Sequence, residues 1–133
     1  LYIPIFGWYL KKIGSISINR NKISKDNYGV LENISNTIKK TDRPLIIFPQ
    51  GTRVLPNETP PFKKGVSRIY NELKIPCQPV AINSGNVWPK KGFKNSKRTI
   101  TISILKPIAA GLPKDEFAKK IEEIIYSELN LLN

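Results

Sequence analysis

Leu45-Ile46-Ile47-Phe48-Pro49-Gln50-Gly51-Thr52-Arg53 runs four apolar residues straight into a glycine, a hydroxyl and a guanidinium. The apolar run predicts a buried strand, and the polar tip marks its carboxyl end. Open α/β sheets bind ligands where strands end, and this tip suits an anion: bare backbone at Gly51, a donor hydroxyl on Thr52, a bidentate fork on Arg53. The same spacing equally fits a strand that leaves the core through an ordinary turn carrying a solvated arginine.

Downstream, residues 51–64 hold Pro56, Pro60 and Pro61 with little periodicity, a long loop of the kind that is often functional. Helical period returns over residues 65–74, with Val66, Ile69, Tyr70 and Leu73 on one face. Pro79-Val80-Ala81-Ile82 is a second continuous apolar run, expected beside the Leu45 run as a buried parallel neighbour. Residues 83–97 read as an exposed, lysine-rich loop. Residues 98–106 alternate Ile100, Ile102 and Ile104 with Thr99, Thr101 and Ser103, a strand near an edge with one wet or thinly covered side. The tail, residues 114–132, sets Phe117, Ile121, Ile124, Ile125, Leu129 and Leu132 at helical spacing behind Asp115-Glu116, an amphipathic helix that should close over the sheet.

Upstream, residues 1–10 are aromatic and end at Lys11-Lys12. They suit a lipid interface, but Pro4 as an opener and Gly14 as a closer favour a short buried helix packed on the sheet. Residues 15–20 alternate polar and apolar as a half-buried strand does, with Arg20 at the end. Residues 24–40 repeat Tyr28, Leu31, Ile34 and Ile38 at helical spacing, with Ser24 placed to cap, Asp26 in the first turn and Lys39-Lys40 in the last. The order of elements indicates an α/β fold: one domain with a mostly parallel central sheet flanked by helices.

A length of 133 residues suits one domain, and 40% apolar with 24% charged residues is a globular composition. Lys and Arg exceed Asp and Glu by 22 to 10, a net charge of +12 that calls for an acidic partner: nucleic acid, an anionic membrane or a phosphorylated substrate. The single Cys77 excludes an internal disulfide and a cysteine-based zinc site. The chain contains no histidine, which removes Ser-His and Cys-His dyads and the commonest general base. No metal site is read. No Met is present and no stretch is apolar enough to span a bilayer, so the chain is expected to be the remainder of a longer protein, meeting membranes only at their surface.

The cationic groups converge in this reading. Arg20 and Arg53 end two strands, and Lys63-Lys64-Gly65 opens a helix whose amino terminus itself favours anions. An arginine fork matches phosphate oxygens two at a time, so a phosphomonoester among these groups is well served.

These residues resemble the lysophospholipid and glycerolipid acyltransferases, specifically the bacterial 1-acyl-sn-glycerol-3-phosphate acyltransferases. Phe48-Pro49-Gln50-Gly51-Thr52-Arg53 is similar to the family's F-P-E-G-T-R block, and Phe62-Lys63-Lys64-Gly65 to the F-K-x-G that follows. Residues 14–20 resemble the earlier G-x-x-x-I-x-R block, Ile75-Pro76-Cys77-Gln78-Pro79-Val80 the later I-P-x-x-P-V element, and Phe6-Gly7-Trp8 the aromatic stretch upstream. The resemblance spans roughly residues 1–107. It implies a glycerolipid acyltransferase-like fold and acyl transfer from acyl-CoA or acyl carrier protein to lysophosphatidic acid, giving phosphatidic acid at the cytoplasmic face of the membrane, with no further cofactor. Carried over by position, Arg20 and Arg53 hold the substrate phosphate, Gly51 and Thr52 shape the loop around it, Lys63 assists, and Phe48, Pro49, Gln50 and Gly65 support the motif. The family's H-x-x-x-x-D block, whose histidine is the general base, is absent. The chain is therefore expected to be the C-terminal part, residues 1–133, of an acyltransferase domain, with the base and any membrane anchor upstream. Gln50 replaces the family's usual Glu and loses its charge. The rival reading is a basic nucleic-acid- or anion-binding module. Against nucleic acid stand the lack of a recognisable motif and aromatics read as not interleaved with the basic loop, so none is expected as a partner.

Overall fold

Proline lacks the amide that a first helical turn leaves unpaired, and Pro4 begins helix α1 (Pro4–Lys12) in the computed structural model. The structure describes residues 4–16, 27–90, 92–95 and 97–132. They divide into two units, Leu1–Pro44 and Leu45–Asn133.

In the first unit, α1 ends as Gly14 was expected to end it. Gly14 takes φ +77, while the Ser15 amide donates to the Leu10 carbonyl (2.9 Å) and the Ile13 amide to the Tyr9 carbonyl (3.0 Å). The expectation of a buried helix is corrected: Trp8, Tyr9 and Ile13 are exposed, and the Lys12 ammonium sits 4.4 Å from the centre of the Trp8 ring. Helix α2 (Asn27–Lys39) turns Ile34 inward, as its spacing predicted, and carries Lys39 in its last turn. The strand expected over residues 15–20 and the Ser24 cap fall largely or wholly outside the described residues.

The second unit holds α3 (Gly65–Leu73), β1 (Val80–Ile82), β2 (Ile102–Ile104) and α4 (Lys114–Leu132). The two strands pair antiparallel with Val80 opposite Ile104 and Ile82 opposite Ile102, and a further bridge joins Cys77 to Ile108 through bonds of 2.9 and 2.8 Å. Helix α4 packs on α3 and on β1. Its stripe of Phe117, Ile121 and Ile125 makes the core with Tyr70, Ala81 and Ile108. Phe117, fully buried, stacks on Tyr70 at 3.7 Å between ring centres and 3° between planes. Burying such a ring is worth roughly 1.5–3 kcal/mol relative to leaving it exposed.

Two expectations change. Residues 98–106 do contain a strand, but its wet side is the isoleucine side: Ile102 and Ile104 are 61% and 72% exposed, while Ser103 turns toward α4 and donates to a Glu128 carboxylate oxygen at 2.6 Å. The Leu45 run is not a buried strand. Residues 45–48 lie outside any strand, and Ile46 and Phe48 are 76% and 78% exposed, because a strand needs a hydrogen-bonded neighbour and none pairs with this run among the described residues. The sheet that is described is therefore small and antiparallel.

Asn83 ties this unit together. Its side chain accepts from the Thr101 amide (2.7 Å) and donates to the Leu132 carbonyl (3.1 Å), closing the β1 to β2 connection and satisfying the end of α4. It is buried, so Asn83→Ala leaves both partners wanting. We expect a loss of about 1–3 kcal/mol in urea unfolding monitored by circular dichroism.

Candidate functional site

Pro49 and Gln50 occupy a tight turn whose closing bond runs from the Gly51 amide to the Phe48 carbonyl (3.0 Å). Gly51 takes φ +69, a conformation that costs a residue with a Cβ about 1–2 kcal/mol. Space is short as well: a Cβ on Gly51 would lie 3.3 Å from Cγ of Lys63. The Lys63 amide in turn donates to the Pro49 carbonyl (2.9 Å). Gly51 and Lys63, at the two ends of the proline-rich loop and both singled out from the sequence, are thus held side by side at its neck.

The rest of that loop is braced by α4. Prolines at 60 and 61 supply no amides, so the loop cannot form a ladder of its own. Instead the Phe62 amide donates to a Glu122 carboxylate oxygen at 2.8 Å, and the Tyr126 hydroxyl donates to the Pro60 carbonyl at 2.5 Å. The Phe62 and Tyr126 rings meet at 5.0 Å and 53°. Glu122 and Tyr126 stand four residues apart, on one face of α4. The Gln50 amide nitrogen reaches the Tyr126 oxygen at 3.4 Å, a long bond. Because that hydroxyl already donates to Pro60, it can only accept from residue 50. An amide supplies that donor and a carboxylate does not, which gives Gln50 a physical fit here. Burial pushes the Tyr126 phenol above its ordinary value, the Gln50 bond opposes this, and the charge of Glu122 adds to it.

The cations stay available. Arg53, Lys63 and Lys64 are exposed, as are Gly51 and Thr52, and no acidic side chain among the described residues pairs with Arg53. Gly65 begins α3, which carries no acidic residue in its first turn to offset the positive end of the helix. Arg20 lies outside the described residues. Sequence reasoning missed Glu122 and Tyr126, whose signal was their one-turn spacing beside the apolar stripe of α4.

The chain belongs to the acyltransferase family: the Acyltransferase family model matches residues 1–83. Three of its relatives share one name. The chain is 35% identical to a 1-acyl-sn-glycerol-3-phosphate acyltransferase of Saccharomyces cerevisiae, over 92% of the chain and 42% of that protein. It is 31% identical to the one from Pseudomonas aeruginosa, over 78% of the chain and 40% of that protein. For Helicobacter pylori the figures are 29%, 95% and 53%. The chain thus spans about half or less of the length of these relatives. No solved structure matches it significantly.

The raised phenol makes a pH prediction. A tyrosine whose folded value exceeds its unfolded one contributes stability that is complete below the ordinary value of 10.0 and is lost as pH rises through the folded value. The stability gap between the chain and Tyr126→Phe should therefore hold steady at neutral pH and shrink above pH 10.0 in urea titrations at stepped pH.

Proposed function

We propose that this chain carries the acceptor-binding part of an enzyme that acylates lysophosphatidic acid to phosphatidic acid, the activity that its relatives' names state. One observation supports this above the others: Gly51 and Lys63 share the neck of a loop braced by α4, with Arg53 two residues on and unpaired by acid. A phosphomonoester dianion is met there by a guanidinium fork, an ammonium and bare backbone.

The reaction joins the acceptor's free hydroxyl oxygen to the thioester carbonyl carbon of acyl-CoA or acyl carrier protein. The carbon–sulfur bond breaks, the thiol leaves, and the hydroxyl proton passes to a base. In the family that base is the histidine of H-x-x-x-x-D, and this chain has no histidine. Its residues hold and orient the acceptor through its phosphate, and the base is supplied from elsewhere. Among the described residues no helix is long and apolar enough to cross a membrane. The +12 charge supports work at an anionic, cytoplasmic lipid face. The exposed apolar side chains of Ile46 and Phe48 support a further element packing on this run, as a larger, mostly parallel sheet flanked by helices would supply.

Calorimetric titration with a short-chain, monomeric lysophosphatidate tests the phosphate site. Arg53→Ala should bind about 10- to 100-fold more weakly with its circular dichroism unchanged, since a lost charged hydrogen bond costs about 1.5–3 kcal/mol. Arg53→Lys should recover part of the loss. Equal affinity for all three proteins would remove Arg53 from the site, and acyl transfer by this chain alone would refute the assignment of the base.

A further inference from the structure

From residue 73 to residue 114 the sequence contains no aspartate or glutamate, and the basic residues of that span concentrate at Lys90, Lys91, Lys94, Lys97 and Arg98. This is the connection between β1 and β2, and it is built. A bond from the Asn95 amide to the Val87 carbonyl (2.8 Å) closes it, and the Asn95 side chain accepts from the Lys97 amide (3.2 Å). Two aromatic rings stand in the closed segment. Phe93 is 98% exposed and Trp88 is 59% exposed. The Lys94 ammonium lies 3.9 Å from the centre of the Trp88 ring, so cation and aromatic are interleaved in space, contrary to the expectation from sequence. Lys90, Lys94, Lys97 and Arg98 are all exposed.

A phenylalanine left almost wholly in water gains nothing for the fold, whereas burial in an acyl layer recovers its transfer free energy. Tryptophan favours the headgroup level, and lysines without acidic neighbours are drawn to anionic headgroups. We propose that the loop carrying Trp88, Phe93, Lys94 and Lys97 is an anchor that inserts its two rings into an anionic bilayer surface. Nucleic acid is disfavoured because stacking successive bases needs free ring faces, and the Lys94 ammonium covers one face of Trp88. The inference rests on the acyltransferase reading in one respect, that such a substrate is met at a lipid surface. The anchor is separate from the phosphate site in sequence and in the residues it uses.

The test reads Trp88 emission in a Trp8→Phe background, which leaves a single tryptophan. Vesicles of phosphatidylcholine with phosphatidylglycerol should shift that emission to the blue and shield it from iodide, and vesicles of phosphatidylcholine alone should do so far less. Phe93→Ala, at so exposed a site, should leave the fold intact and weaken retention on the anionic vesicles several-fold. Lys94→Gln with Lys97→Gln should weaken it about fivefold for each charge removed and flatten its salt dependence. Unshifted Trp88 emission on vesicles that retain the chain would overturn the proposal. So would equal retention of Phe93→Ala, or a larger response to single-stranded DNA than to vesicles. Binding of monomeric lysophosphatidate should be the same in Phe93→Ala as in the parent, so failure of the anchor and failure of the phosphate site are read separately.

Discussion

The hydrogen bond from the Phe62 amide to the Glu122 carboxylate is the constraint on which the candidate site depends. A hydrogen bond to a charged group is worth about 1.5–3 kcal/mol, and here it fixes a segment whose neighbouring prolines have no amides to spend on a ladder. Helix α4 can make this bond because its neighbouring face is already committed to the core, through Phe117 stacked on Tyr70 and through Ile121 and Ile125. One face of the helix supplies burial and the next supplies polar anchors. The motif turn then inherits its position from the core by way of the Lys63 amide and the Pro49 carbonyl.

The helices of the second unit were legible because their signals are local. Glycine at residue 65, the apolar spacing after it, and Asp115-Glu116 ahead of a long amphipathic stripe place α3 and α4 where they stand. The strand faces were not. Alternation in residues 98–106 shows that the two sides differ, but the inward side is decided by what packs there. Glu128 on α4 offers Ser103 a partner, so the hydroxyl turns in and the isoleucines turn out. The Leu45 run failed for a related reason, since pairing depends on a neighbouring strand and its own residues cannot provide one.

The site divides in the same way. The order of Gly51, Thr52, Arg53 and Lys63 could be read from the chain, and the structure brings Gly51 against Lys63. What holds them could not, because Glu122 and Tyr126 lie 60 and 66 residues from the Phe62 and Pro60 groups they bind. Gln50 looked like a loss of charge from sequence. Against a tyrosine that has already given its proton to Pro60, it is the residue type with a donor to offer.

Positive charge is spent in two places, beside the motif turn and along the β1 to β2 connection, and in neither does an acidic side chain neutralise it among the described residues. Amide chemical-shift mapping of the chain with glycerol 3-phosphate separates the two most directly. The Thr52, Arg53 and Lys63-Lys64-Gly65 amides should move together and saturably, with little change at residues 92–98. Shifts confined to residues 92–98, or none near the motif, would contradict the claim that the braced turn is the phosphate site.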